Sequence, residues 1–168
     1  MDKILDNLFL GDAQGATSKD ILERVGITHI LNISDNVPNK FPKKYVYKHV
    51  KVADSLRTNL KGRFTDIFEF MDVVLANPSN KLLVHCYAGM SRSATAVIAY
   101  LMRTQGLTFE VAYNFCRVRR PFIQPNKSFR KQLVEFDEEL RGNAEKAQMR
   151  RREMSADNFL KENSKDQN

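Results

Sequence analysis
The sequence predicts an α/β fold with a mainly parallel central sheet and helices on both faces. Three observations carry that reading. Short apolar, β-branched runs alternate with stretches of helical spacing, as strand–helix–strand units do. The run Leu82-Leu83-Val84 passes through His85–Ser93 directly into the apolar stretch Ala94–Met102, so a strand, a loop and a helix follow one another without a linker. The loop between them is rich in groups that bind or attack an anion, and open α/β sheets take ligands beyond the carboxyl ends of their strands.

Ile4-Leu5 and Leu8-Phe9-Leu10 read as short strands about the turn pair Asp6-Asn7. Ser18 is placed to cap a helix that runs through Val25 and stops at Gly26. Ile27–Ile33 is a buried strand. Residues 36–44, with Pro38 and Pro42, form a loop, and Tyr45–Val52 alternates as a further strand. Phe64, Ile67, Phe68, Met71, Val74 and Leu75 mark one face of a helix reaching about Ala76. Leu82–Cys86 is the central strand. Helices then cover Ser91–Arg103, Thr108–Arg119, capped by Thr108, and Ser128–Arg141. Residues 1–141 are thus one domain. Beyond them the composition turns to Glu, Lys, Arg, Gln, Met and Ser, and residues 142–168 read as a charged tail, helical or disordered.

The 168 residues suffice for one substantial core. The net charge is +7; residues 141–168 hold seven Lys/Arg and five Asp/Glu, which leaves +5 on residues 1–140. A basic domain draws anionic ligands. No basic–aromatic alternation or nucleic-acid-binding motif is present, so no nucleic acid partner is expected. Two cysteines, no secretory leader, no lipidation box and no apolar run long enough for a bilayer predict a protein without a membrane anchor in a reducing compartment, cytoplasm or nucleus. The histidines and cysteines lack zinc spacing and no carboxylates cluster for magnesium, so no metal or other cofactor is expected. Oligomeric state is left open.

The chemistry concentrates in His85-Cys86-Tyr87-Ala88-Gly89-Met90-Ser91-Arg92-Ser93. Backbone N–H groups of such a loop converge on an oxyanion, and the following helix places partial positive charge there. The same field stabilises a thiolate at Cys86, whereas an ordinary thiol, with a pKa of about 8.5, is only a few per cent ionised at pH 7. Arg92 offers a planar fork to two oxygens of a phosphate. A cation on the first turn of a helix opposes the dipole unless an anion visits, which again places a phosphate beside it. Gly89 permits a backbone conformation and a close approach that a Cβ would forbid. A leaving alkoxide needs a proton from a carboxylic acid at the loop mouth. Asp54, after the strand Tyr45–Val52, is the first candidate, with Asp35 and Asp66 as alternatives. Cys116, among Val111, Phe115 and Val118 at helical spacing, belongs to a core, and Arg117, Arg119 and Arg120 read as a solvated face that could also rim the substrate site.

His-Cys, five residues, Arg and then Ser is the signature of the protein tyrosine phosphatase superfamily, and the sequence resembles its dual-specificity branch in particular. Ala99-Tyr100-Leu101-Met102 and Arg120-Pro121-Phe122-Ile123-Gln124-Pro125-Asn126-Lys127-Ser128-Phe129 match that branch, and the similarity runs from about Ile4 to about Leu140. The resemblance implies a protein tyrosine phosphatase-like fold of the small, catalytic-domain-only type. It implies hydrolysis of phosphate monoesters on tyrosine and on serine or threonine of phosphorylated proteins, through a phosphocysteine intermediate. Residues Cys86, Tyr87, Ala88, Gly89, Met90, Ser91 and Arg92 would then bind the phosphate. Asp54 matches the spacing of the family's general acid. Ser93 would ease departure of the thiolate, His85 would organise the loop and help activate Cys86, and Asn126 would steady the loop. The loop holds no lysine between Cys86 and Arg92, which favours phosphoproteins over phosphoinositides or an RNA 5′-phosphate. The alternative from another class is a phosphate-binding module that captures phosphoproteins without turnover.

Overall fold
The computed structural model describes the backbone of residues 1–163 and the side chains of residues 1–154. β1 (Asp2–Leu5) and β2 (Leu8–Gly11) pair antiparallel about the predicted turn, with a register shift between Lys3 and Leu5. β3 (His29–Asn32), β4 (Val46–His49) and β5 (Leu82–His85) complete a sheet of order β1-β2-β5-β3-β4. β5, the last in sequence, enters between β2 and β3 and runs parallel to both, with Gly11 and Asn32 each opposite His85.

Strand alternation sends successive residues to opposite faces. Leu82 and Val84 join Leu8, Leu10 and Leu31 in the larger core, while Leu83 joins Phe9 and Ile30 in the smaller one. The smaller core is closed by Ala16 of α1 (Ala13–Ala16) and Leu22 of α2 (Lys19–Val25). The larger is closed by α3 (Phe64–Leu75), α4 (Arg92–Gln105), α5 (Phe109–Arg119) and the start of α6 (Lys127–Asn163). Each fully buried Leu, Ile or Phe in these cores contributes about 1.5–3 kcal/mol. α4 is buried from Arg92 to Met102, because the sheet lies under it and α3, α5 and α6 pack around it. Helices therefore cover both faces, as predicted.

Several boundaries differ from the sequence reading. β4 is shorter than Tyr45–Val52: after Val50 N–H donates to Asn32 O (2.8 Å), the neighbouring strand offers no further residue to pair. α1 and a 3-10 turn at Lys61–Arg63 are too short to leave a periodic signal; Asp12 caps α1 by accepting from Gly15 N–H at 2.8 Å. Ser18 precedes α2 in extended conformation without a side-chain cap bond, whereas Gly26 ends it at φ 79°. The helix predicted to end at Arg141 continues to Asn163. Gly142 costs about 1 kcal/mol in a helix interior and does not stop it. Core contacts nevertheless end with Leu140, and side chains from Asn143 to Met154 are all exposed. Residues 164–168 of the predicted tail lie outside the described residues. Among the described residues, no helix is long and apolar enough to cross a membrane.

Candidate active site
β5 delivers His85 to the carboxyl edge of the sheet, and the chain turns through Cys86–Ser91 into α4 at Arg92. The carbonyls of this loop are held from outside it. Tyr87 O accepts from Ala13 N (2.9 Å), Met90 O from Gln124 N (2.8 Å) and Ser91 O from Thr95 N (2.8 Å). Gly89 O accepts from Arg120 Nε at 2.8 Å and Ala88 O from Arg120 Nη2 at 3.4 Å. By contrast, among the described residues no backbone N–H from Tyr87 to Arg92 donates to a protein group. Carbonyls tied outward with free amides make a nest for an anion at a helix N-terminus. Gly89 takes φ +66°, and a Cβ there would stand 2.4 Å from Gly11 O, so the end of β2 requires a glycine.

Cys86 lies at the floor of the loop, 1% exposed, and its Sγ accepts from Ser93 Oγ at 3.2 Å. The two residues predicted to share the sulfur chemistry are thus in contact. Arg92 is 5% exposed. Its Nη1 donates to Asp35 Oδ1 (2.8 Å) and Val52 O (3.0 Å). Its Nε has no partner; among the described residues the only other buried unpartnered side-chain nitrogen or oxygen is Tyr45 Oη. A buried guanidinium N–H without an acceptor is costly unless a ligand supplies one.

The three candidate acids separate. Asp54 reaches the loop: its Oδ1 accepts from Ser91 Oγ (3.0 Å) and Asn126 Nδ2 (2.7 Å), and its Oδ2 lies 3.9 Å from Arg92 Nε. Asp35 is brought to the site but spends its carboxylate on Arg92. Asp66 is bound to Lys48 and Arg63 on α3, away from the loop, and those cations hold its carboxyl below the usual range. Asn126 touches the loop and also opens α6. Its backbone N–H donates to Ser91 Oγ (3.0 Å), while its Oδ1 accepts from Phe129 N–H (2.9 Å) and caps α6.

His85 points to the opposite face of the sheet from Cys86, as strand alternation requires, and its Nδ1 meets Cys86 O at 3.1 Å. Burial pushes it down to about 4, so it is a neutral imidazole at pH 7 and presents no cation to the sulfur. The contact with Cys86 O supports the organising role that the resemblance implies. The unfolded chain, with a histidine near 6.5, binds the proton that the folded one refuses, so stability is lost as pH falls from 6.5 toward 4, by about 3 kcal/mol at most. Urea unfolding at pH 7 and near pH 4.5 measures this; His85→Gln should flatten most of the difference, and an undiminished difference would refute the assignment.

Arg120 is the residue sequence reasoning missed. The sequence puts it on a solvated face that could also rim the substrate site, yet it is 2% exposed. Besides the two loop carbonyls it binds Asp2 through Nη1 and Asp12 through Nη2 (3.2 Å), and its guanidinium lies 4.3 Å from the Phe122 ring centroid. α5 ends at Arg119, and the turn there directs Arg120 inward while Arg117 and Arg119 stay exposed. Cys116 is core as expected, and burial pushes its thiol up to about 12.

A thiol on the floor of an amide nest, with a buried arginine and a carboxylic acid at the mouth, is the constellation of a cysteine-dependent phosphatase. Residues 8–139 match the family model "Dual specificity phosphatase, catalytic domain", and the chain belongs to that family. Human Dual specificity protein phosphatase 1 is 41% identical over 138 residues, 82% of this chain but 37% of that protein's length. The chain thus spans little more than a third of that curated relative. Among solved structures, the human tyrosine phosphatase-like serine/threonine/tyrosine-interacting protein matches with a TM-score of 0.77 and 37% identity, covering 82% of this chain and 95% of that one. Human DUSP28 matches with a TM-score of 0.79 and 29% identity, covering 85% and 99%.

Proposed function
We propose that this protein hydrolyses phosphate monoesters on phosphotyrosine and on phosphoserine or phosphothreonine of proteins, with Cys86 as nucleophile. The observation that carries the reading is the row of free amides from Tyr87 to Arg92 around the Cys86 thiol. They receive the equatorial oxygens of a phosphoryl group, and Arg92 Nε adds the donor that has no acceptor in the protein. The Cys86 thiolate attacks phosphorus, forming the P–S bond as the ester P–O bond breaks. Asp54 gives its proton to the departing oxygen; Oδ2 is the free oxygen, since Oδ1 is occupied by Ser91 and Asn126. Water then attacks phosphorus, Asp54 takes its proton, and the P–S bond breaks with the sulfur receiving the Ser93 hydroxyl hydrogen bond. The products are inorganic phosphate and the free hydroxyl residue. The names of the relatives support proteins as the substrate class.

Hydrolysis of para-nitrophenyl phosphate in the presence of a chelator tests the reaction. Turnover is expected without added metal. Asp54→Asn should lower kcat on a phosphopeptide by about 10²–10⁴-fold, and less on the nitrophenyl ester, whose leaving group needs little help. Absence of turnover from the folded protein over roughly pH 5–8 would replace this reading with a phosphate-binding module. That is the role suggested by the name of the phosphatase-like interacting protein that matches at 37% identity.

A further inference from the structure
The cleft extends beyond the phosphate loop. A cavity of about 690 Å³ lies over Ala88, Met90 and Ser91, and a second of about 340 Å³ adjoins it, the two sharing Met90, Gln124 and Arg130. Among the described residues the only carboxylate lining either is Asp54, in the first; the second has none. Lys127 lines the first and Arg117 the second, so three cations border one continuous depression. Arg63, Arg92, Arg103, Arg120 and Arg141 each pair with an aspartate. Among the described residues Lys127, Arg117 and Arg130 pair with none. Arg130 is also held in place: its guanidinium lies over the Tyr113 ring, 5.4 Å from the centroid, which limits the entropy lost when it binds. Phe122, 52% exposed, supplies an apolar border on the same cavity.

We propose that this arm of the cleft reads carboxylates, so that Arg130 and Arg117 select substrates carrying Asp or Glu near the phosphorylated residue. The inference rests on the phosphatase reading and names the flanking chemistry of its substrate. A planar guanidinium takes a carboxylate through two parallel hydrogen bonds. Two separate forks beside an apolar border suit carboxylates spaced along an extended peptide, whereas phosphate is served by the amide nest. The contact is present in ground state and transition state alike, so it acts through KM rather than kcat. Being exposed, it weakens as salt screens it.

The test compares two phosphotyrosine peptides that differ only in three Glu or three Gln flanking the phosphoresidue. The wild-type protein should favour the Glu peptide about tenfold in kcat/KM, mostly through KM, with the advantage shrinking at high salt. Arg117→Gln with Arg130→Gln should remove the preference, and Arg117→Glu with Arg130→Glu should invert it. Both side chains are exposed, so these variants keep the fold. Wild-type selection within about twofold, or a Glu preference surviving in the doubly reversed variant, would overturn the proposal. If para-nitrophenyl phosphate is hydrolysed and the peptides are not distinguished, the groove assignment fails and the phosphatase stands. If nothing is hydrolysed, fluorescence anisotropy with the same two peptides still decides the groove.

Discussion
Cys86→Ser should reduce turnover by at least about 10⁴-fold while leaving the loop able to bind a phosphoester. The reasons are separable in the structure. The substitution removes only the sulfur, whose one side-chain hydrogen bond among the described residues comes from the Ser93 hydroxyl at 3.2 Å. A serine hydroxyl has no base beside it to take its proton: His85 lies on the other face of the sheet, and in this step Asp54 must carry the proton that it gives to the departing oxygen. The binding elements are untouched, since the loop carbonyls stay anchored by Ala13, Arg120 and Gln124 and the amides stay free. Because a neutral hydroxyl does not repel an anionic phosphate, affinity for a phosphopeptide should equal or exceed that of the native protein. Titration calorimetry beside a turnover assay reads both quantities. Residual turnover near the native level would exclude Cys86 as nucleophile. Loss of binding by a folded variant would mean that the cysteine shapes the loop rather than attacking from it.

The parts of this site that were legible in the sequence are those that lie close together along the chain. Cys86, Gly89, Arg92 and Ser93 fall within eight residues, and a strand before them with a helix after them fixes where such a loop must sit. The sheet was legible for the same reason: Leu82, Leu83 and Val84 are apolar in succession because both faces of a central parallel strand are covered. Asp54 needed a choice among three aspartates, and the contacts that bring it to Ser91 and Asn126 reach across 37 and 72 residues of sequence. Arg120 was not legible. An arginine beside Arg119 at a helix end looks solvated, and nothing local reveals that Asp2 and Asp12, more than a hundred residues earlier, arrive beside it. Composition left residues 142 onward as helical or disordered, because it records where packing stops but not where backbone hydrogen bonding stops.

Arg120→Met should therefore damage both stability and catalysis, although Arg120 touches no substrate in the proposed reaction. Methionine keeps much of the apolar stem and removes every donor. Asp2 and Asp12 lose their cation, and the carbonyls of Gly89 and Ala88 lose their hydrogen bonds in a buried place. Removing one partner of a buried ion pair costs about 3–5 kcal/mol. Here the aspartates keep side-chain exposures of 38% and 30%, so the expected cost is nearer about 2–3 kcal/mol, a fall in Tm of roughly 5–10 °C. The catalytic effect has a separate origin. Gly89 and Ala88 turn their carbonyls outward because Arg120 holds them, and that orientation leaves the amides facing the phosphate. Once they are released, a displacement of about 1 Å would cost on the order of 10²-fold in kcat. Arg120→Lys discriminates the two roles. A lysine restores a charge to Asp2 or Asp12 but cannot span the aspartates and two carbonyls with one ammonium. It should recover most of the Tm and little of the kcat. Recovery of both would reduce Arg120 to a neutralising charge, and a native kcat in a destabilised methionine variant would sever the loop's geometry from this contact.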